Sequence, residues 1–331
     1  MLLLALPIVP SSVFLTTVDV ASNLFQQTFW SIVWVFYTDT WSTITIPVYK
    51  KLLLKSMGCL NSHPSVLERY AGEVLAYRAD VSNEVTSIYI SRKKILWKVC
   101  EDEAPVIHVT FLNNYRVQHL PPSPWIVQPQ KLFKLSPTKM AISMEYHPID
   151  LFNLVSTRFD LQRVWAGMRD VVRGMAYLHS KGLAHRDIKP ENIVVGNTYF
   201  HLIDFDFTSP LTDYVHCGTP LYIVPAAISD QWDCSNRTRS IRYDIYAFGK
   251  TIIHILYQAA LVGLLERQFI TSVYKKQGLL EGVQNPFDGA TAIWFDVALR
   301  CCQKEPSLGT IPATDKTVNT FEVVYADNIA T

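Results

Sequence analysis

The sequence predicts an α+β fold, with short strands gathered in residues 65–147 and helices in residues 148–310. Three observations carry this. Residues 85–90 and 94–99 are apolar runs separated by the polar turn Ser91-Arg92-Lys93, the pattern of paired strands. Residues 161–178 place Val164, Met168, Val171, Val172, Met175 and Leu178 on one helical stripe. Beyond that stripe, two apolar segments lie against polar side chains, Ile193-Val194-Val195 after Asn192 and Leu202-Ile203 before Asp204.

The 331 residues suffice for one two-lobed domain or two small ones. At 49% hydrophobic and 18% charged, the chain can bury a large core. A formal net charge of +1 gives no basic excess, so nucleic acid is excluded as a partner class. The six cysteines form no CxxC pair, which indicates reduced, cytosolic usage without zinc.

Residues 1–60 form a hydrophobic extension in which Asp19 and Asp39 are the only charged side chains before Lys50. The uncharged, aromatic-rich stretch 20–38 is a candidate membrane segment, and Lys50, Lys51 and Lys55 behind it would keep the rest of the chain cytoplasmic. Asn23, Gln26 and Gln27 interrupt it, so an extension packed on the domain and a non-domain leader stand as alternatives.

In the first lobe, residues 95–99 place a lysine inside an apolar strand. Such a lysine is expensive to bury unless an anion meets it, which makes Lys98 the candidate and Lys94 the fallback. A helix-like stretch at 109–120 leads into Pro121-Pro122-Ser123-Pro124, and residues 140–146 read as a further strand.

In the second lobe the helical stripe stops near Lys181-Gly182. The loop that follows reads His185-Arg186-Asp187-Ile188-Lys189-Pro190-Glu191-Asn192. These residue types suit in-line phosphoryl transfer. A carboxylate orients the attacking hydroxyl and takes its proton, a lysine balances charge on the moving group, and an asparagine oxygen ligates Mg²⁺. Asp204 adds a second carboxylate for the same ion.

On these residues, and on Cys217-Gly218-Thr219-Pro220 and Tyr243-Asp244-Ile245-Tyr246-Ala247-Phe248-Gly249 after them, residues 65–310 resemble the eukaryotic protein kinases. Lys189 in the loop is similar to the serine/threonine type. The resemblance implies a two-lobed fold and transfer of phosphate from ATP, with Mg²⁺, to serine or threonine of a protein substrate. It implies Asp187 and Lys189 as catalytic residues, Asn192 and Asp204 as metal ligands, and Lys98 on the nucleotide phosphates. Met144 would be the gatekeeper, with backbone at Glu145, Tyr146 and His147 facing the adenine. His185 and Arg186 would brace the loop, Arg186 could receive a phosphate from the segment after Asp204, Thr219 would bond near Asp187 and Lys189, and Asp244 would hold the loop backbone.

The sequence departs from that family at several places. No glycine lies between Gly72 and Gly167, so Val81-Ser82-Asn83-Glu84 must serve where a glycine-rich loop is expected. The helix position for a glutamate partner of Lys98 falls on Asn113 or Asn114. Asp206 replaces a glycine, either as an extra metal ligand or as a mark of a loop that no longer switches. Ala226 and Gly309 stand where a buried acid and arginine would pair, and residues 311–331 read as a tail. These losses leave two expectations: a weak or slow enzyme, or an impaired pseudokinase that acts as a binding module.

Overall fold

The computed structural model describes residues 75–78, 85–276 and 278–308, together with Glu68 and Ala71. The chain divides into two compact units, Met1–Ser62 and His63–Thr331, and the described residues all belong to the second. The candidate membrane segment, the turn at 81–84, Gly309 and the tail lie outside the described residues. Among the described residues no helix is long and apolar enough to cross a membrane.

The first lobe is a five-stranded antiparallel sheet in the order β1-β2-β3-β5-β4. Its strands are β1 (Leu75–Tyr77), β2 (Thr86–Ser91), β3 (Ile95–Glu101), β4 (Lys131–Ser136) and β5 (Lys139–Glu145). Period-two alternation gives the sheet two distinct faces. Trp97 and Val99 of β3 pack with Leu75, Tyr89 and Ala141 on one face. Leu96 and Cys100 pack with Met140, Ile142 and Met144 of β5 on the other, the face toward helix α1 (Ala104–Gln118) and the cleft. Lys98 shares that second face by parity.

Helix α1 begins five residues before the start that periodicity suggests, with Pro105 in its first turn, where a missing N–H costs nothing. Its described residues include no acidic side chain.

The second lobe is helical: α2 (Leu151–Val155), α3 (Leu161–Ser180), α4 (Ala226–Ser229), α5 (Asn236–Leu261), α6 (Arg267–Lys275) and α7 (Gly289–Cys301). Asp160 caps α3 by accepting the Gln162 N–H at 2.8 Å, and Gly182, at φ 75°, turns the chain out of it. Helix α5 runs through the lobe core, burying Tyr243, Tyr246, Phe248, Ile252 and Ile253 against α3 and α7. Four short strand pieces lie on the cleft side: β6 (Leu183–Ala184) pairs with β9 (Ser209–Pro210), and β7 (Ile193–Val195) with β8 (Phe200–Leu202). These two hairpin-like pairings bring residues 185–192 and 203–208 together. Cys100, Cys217, Cys234, Cys301 and Cys302 are free.

Candidate active site

The loop between β6 and β7 is held from below by one carboxylate. Asp244, fully buried on α5, accepts the backbone N–H of His185 (2.8 Å) and of Arg186 (2.7 Å) and bonds the His179 imidazole at 2.8 Å. Burial works to raise the Asp244 pKa, but the His179 hydrogen bond and charge, His185 and the Arg186 amide outweigh it, and the carboxyl stays below its ordinary value. His179 had no signal in the sequence, because its partner lies 65 residues away. The His185 ring meets the Phe205 ring edge-on at 5.4 Å and bonds the Ile203 carbonyl at 3.0 Å, tying this loop to the next.

Asp187, 4% exposed, is the hub of the loop. Its Oδ2 accepts from Lys189 Nζ (2.7 Å) and Asn192 Nδ2 (2.8 Å). Its Oδ1 accepts the Thr219 N–H (2.9 Å) and the Thr219 hydroxyl (2.7 Å), and that hydroxyl in turn accepts from Lys189 at 2.6 Å. The close approach of these two loops depends on Gly218. At φ 120°, any Cβ there would stand 2.4 Å from the Arg186 carbonyl oxygen.

Above this cluster, Lys98 Nζ donates to Asp204 Oδ1 and to Asp206 Oδ2, both at 2.7 Å. The lysine is turned into the cleft, whereas Lys94 sits in the β2–β3 turn at φ 58°, where its N–H donates to the Ser91 carbonyl at 3.1 Å and its carbonyl accepts the Tyr146 N–H at 3.0 Å. Side-chain exposures of 11, 32 and 23% for Lys98, Asp204 and Asp206 place the group at the cleft wall, with solvent on one side. Asp206 is also gripped from helix α1: Asn114 Nδ2 donates to its Oδ1 at 2.9 Å, and Asn113 Nδ2 to its carbonyl at 2.7 Å.

Charge explains the titration behaviour of the trio. Burial would lower the Lys98 pKa, but the Asp204 and Asp206 charges raise it well above the ordinary value. Burial pulls Asp204 upward, and Lys98, then Lys189 and His185, bring it down overall. Asp206 goes the other way, pushed up by burial and by the Asp204 charge against the pull of Lys98 and Asn114. Two carboxylates on one ammonium leave one negative charge in excess.

That excess and the donor set suit a divalent cation with hard oxygen ligands. Asn192 commits its Nδ2 to Asp187, so its amide oxygen is the group left for a metal beside Asp204.

The hinge residues follow β5. Met144 is buried among Met140, Ile142, Leu96, Val194 and Ile203, at the junction of the lobes. Of the three backbone positions expected to face an adenine, the Tyr146 N–H is already committed to Lys94. Glu145 is exposed, and the His147 ring lies 4.9 Å from that of His201, its pKa lowered by burial and then by His201.

Two expectations are corrected. Arg186 is not open to a phosphate. It is 2% exposed, and its terminal nitrogens donate to the carbonyls of Val215 (2.6 Å), Pro210 (3.4 Å) and Asp213, and to Ser240 Oγ (3.2 Å). The carbonyls of the segment itself supply the acceptors that a phosphate would supply. Ala226 is exposed at the start of α4 rather than buried, so no charge is missed there.

The fold and this cluster define a two-lobed phosphotransferase domain. A family model described as protein kinase domain matches residues 81–285, well over half of the chain. Relatives include mitogen-activated protein kinase kinase kinase 8 of Rattus norvegicus, 36% identical over 101 residues, 29% of this chain and 20% of that protein. Putative serine/threonine-protein kinase R436 of Acanthamoeba polyphaga mimivirus is 28% identical over 180 residues, 52% of this chain and 62% of that protein. Serine/threonine-protein kinase CG17528 of Drosophila melanogaster is 35% identical over 130 residues, 36% of this chain and 16% of that protein. The chain covers less than two thirds of the length of each. The chain belongs to the protein kinase domain family, whose general function is ATP- and Mg²⁺-dependent phosphoryl transfer to serine or threonine.

Proposed function

We propose that this chain phosphorylates serine or threonine of a protein substrate, with Asp187 as the group that orients the substrate hydroxyl and takes its proton. The observation that carries the reading is the set of partners around Asp187: Lys189, Asn192 and Thr219 converge on its two oxygens from two loops. A carboxylate so held loses no orientation freedom when a hydroxyl arrives, and positioning supplies much of the barrier reduction in phosphoryl transfer. Lys189, beside Asp187, is placed to offset charge on the transferring group.

Asn192 and Asp204 would hold Mg²⁺, which when bound supplies charge neutralisation on the nucleotide phosphates. Lys98 would grip those phosphates from the other wall. Met144 and the backbone at Glu145 and His147 would border the adenine. Membrane attachment through residues 20–38 remains a separate proposal, tested by whether the full chain sediments with membranes.

The experiment is transfer of labelled phosphate from ATP and Mg²⁺ to a generic protein substrate by the full chain, with Asp187→Asn as control. Transfer that vanishes in the control sustains the assignment. A folded chain that transfers nothing above the control overturns it in favour of a binding module.

A further inference from the structure

We propose that Asp206 is the counter-ion of Lys98 in the working site, and that Asn113 and Asn114 of helix α1 position it there. The inference rests on the kinase reading and names a positioning residue for it.

Three observations meet at this point. Helix α1 faces the cleft with two buried amides and no acid, so it cannot neutralise Lys98. The loop after Asp204 carries an additional carboxylate, and that carboxylate is 2.7 Å from Lys98 Nζ. The amides are bonded to the same residue, one to its side chain at 2.9 Å and one to its carbonyl at 2.7 Å. Acid and amide have therefore exchanged elements. Charge comes from the loop, and the helix contributes neutral donors that hold the loop in place.

The exchange solves a concrete problem. A metal ion on Asp204 competes with Lys98 for that carboxylate, and a lysine 11% exposed needs another anion to stay aimed into the cleft. Asp206 is that anion, and its Oδ1 bond to Asn114 leaves Oδ2 aimed at the lysine.

The geometry also supplies a reciprocal test. The Asp206 carboxylate lies between Asn114 and Lys98, so a glutamate at 114, one methylene longer than asparagine, reaches into the space that Asp206→Gly vacates. ATP affinity in the presence of Mg²⁺ is measured by calorimetry on the full chain. It is compared with kcat and with thermal unfolding for the parent, Asp206→Asn, Asp206→Gly and Asp206→Gly/Asn114→Glu.

We expect both single variants to weaken ATP binding by at least about tenfold, as loss of one member of a partly buried ion pair does, and the double variant to recover most of it. Asp206→Asn keeps the size and one bonding oxygen, which separates charge from folding. ATP binding unchanged or tightened in the single variants overturns the proposal, as does a folded double variant without recovery. Parent protein that binds no ATP overturns the proposal and the kinase reading together. Parent protein that binds ATP but transfers no phosphate overturns the kinase reading alone.

Discussion

The Thr219 hydroxyl donates to Asp187 Oδ1 at 2.7 Å, a bond that joins two segments 32 residues apart in the chain. Together with the Thr219 N–H on the same oxygen, it sets the direction in which the carboxylate faces an incoming hydroxyl.

Thr219→Val removes that hydroxyl with little change in volume. The bond is partly buried, so its loss costs about 1 kcal/mol of stability, whereas misorientation of Asp187 lowers kcat by roughly a hundredfold. Steady-state kinetics beside a melting curve separate the two. An unchanged kcat in folded Thr219→Val would remove Thr219 from the working site.

Asp244→Asn puts an amide where three donors converge on a buried carboxylate. The expected cost is about 3 kcal/mol, with loss of transfer because the His185–Arg186 backbone is no longer held. Asp244 is depressed in the folded chain. Its contribution is therefore present above the unfolded carboxylate pKa and is lost as pH falls through the lower folded one. Urea titrations from pH 7 down to pH 3 should show the gap between parent and variant closing at the acid end.

His254 works in the same sense over a higher pH window. Buried on α5, its pKa falls from 6.5 to about 4 through burial. Gln258 Nε2 lies 3.2 Å from Nε2, and the Tyr222 hydroxyl 2.9 Å from Nδ1, an arrangement a neutral imidazole satisfies. Between these pKa values the unfolded chain binds more protons than the folded one, so stability rises with pH across the window and falls on acidification. The full effect is at most about 3 kcal/mol. His254→Gln should flatten the stability profile between pH 4 and pH 6.5, and a slope that persists unchanged would assign it to other groups.

Arg186 is occupied by carbonyls of the segment after Asp204. Three hydroxyls nearby are engaged too: Thr208 with the His185 carbonyl, Tyr214 with Ser229, and Thr212 with Asp213. Activity should then be independent of phosphorylation in this segment. Phosphatase treatment and Thr212→Ala should each leave kcat within about twofold, as expected of exposed positions away from the chemistry. A tenfold fall after phosphatase would show that a phosphate displaces those carbonyls.

Much of the frame was legible in residue order. The lysine set in an apolar strand was legible at Lys98, and the helical stripe of α3 and its Gly182 stop were read within a few residues. Chemistry in consecutive positions was equally readable, since Asp187, Lys189 and Asn192 sit on one short loop. The start of α1 was read late because its first two turns carry exposed apolar residues, Val106 and Val109, which blur the helical period.

The sequence by itself therefore determined the elements, their order and the local groups of the catalytic loop, because periodicity, caps and short motifs act over a few residues. It also showed that an acid was missing from α1 and that one was added at Asp206. Only the tertiary structure decided that these two changes answer each other. Lys98 meets Asp204 and Asp206 across 106 and 108 residues, through the alignment of β3 with the loop after β8. The same holds for the carbonyls that occupy Arg186, 24 to 29 residues away. A charge's partner depends on which surfaces packing brings to within hydrogen-bond distance, and no local pattern encodes that.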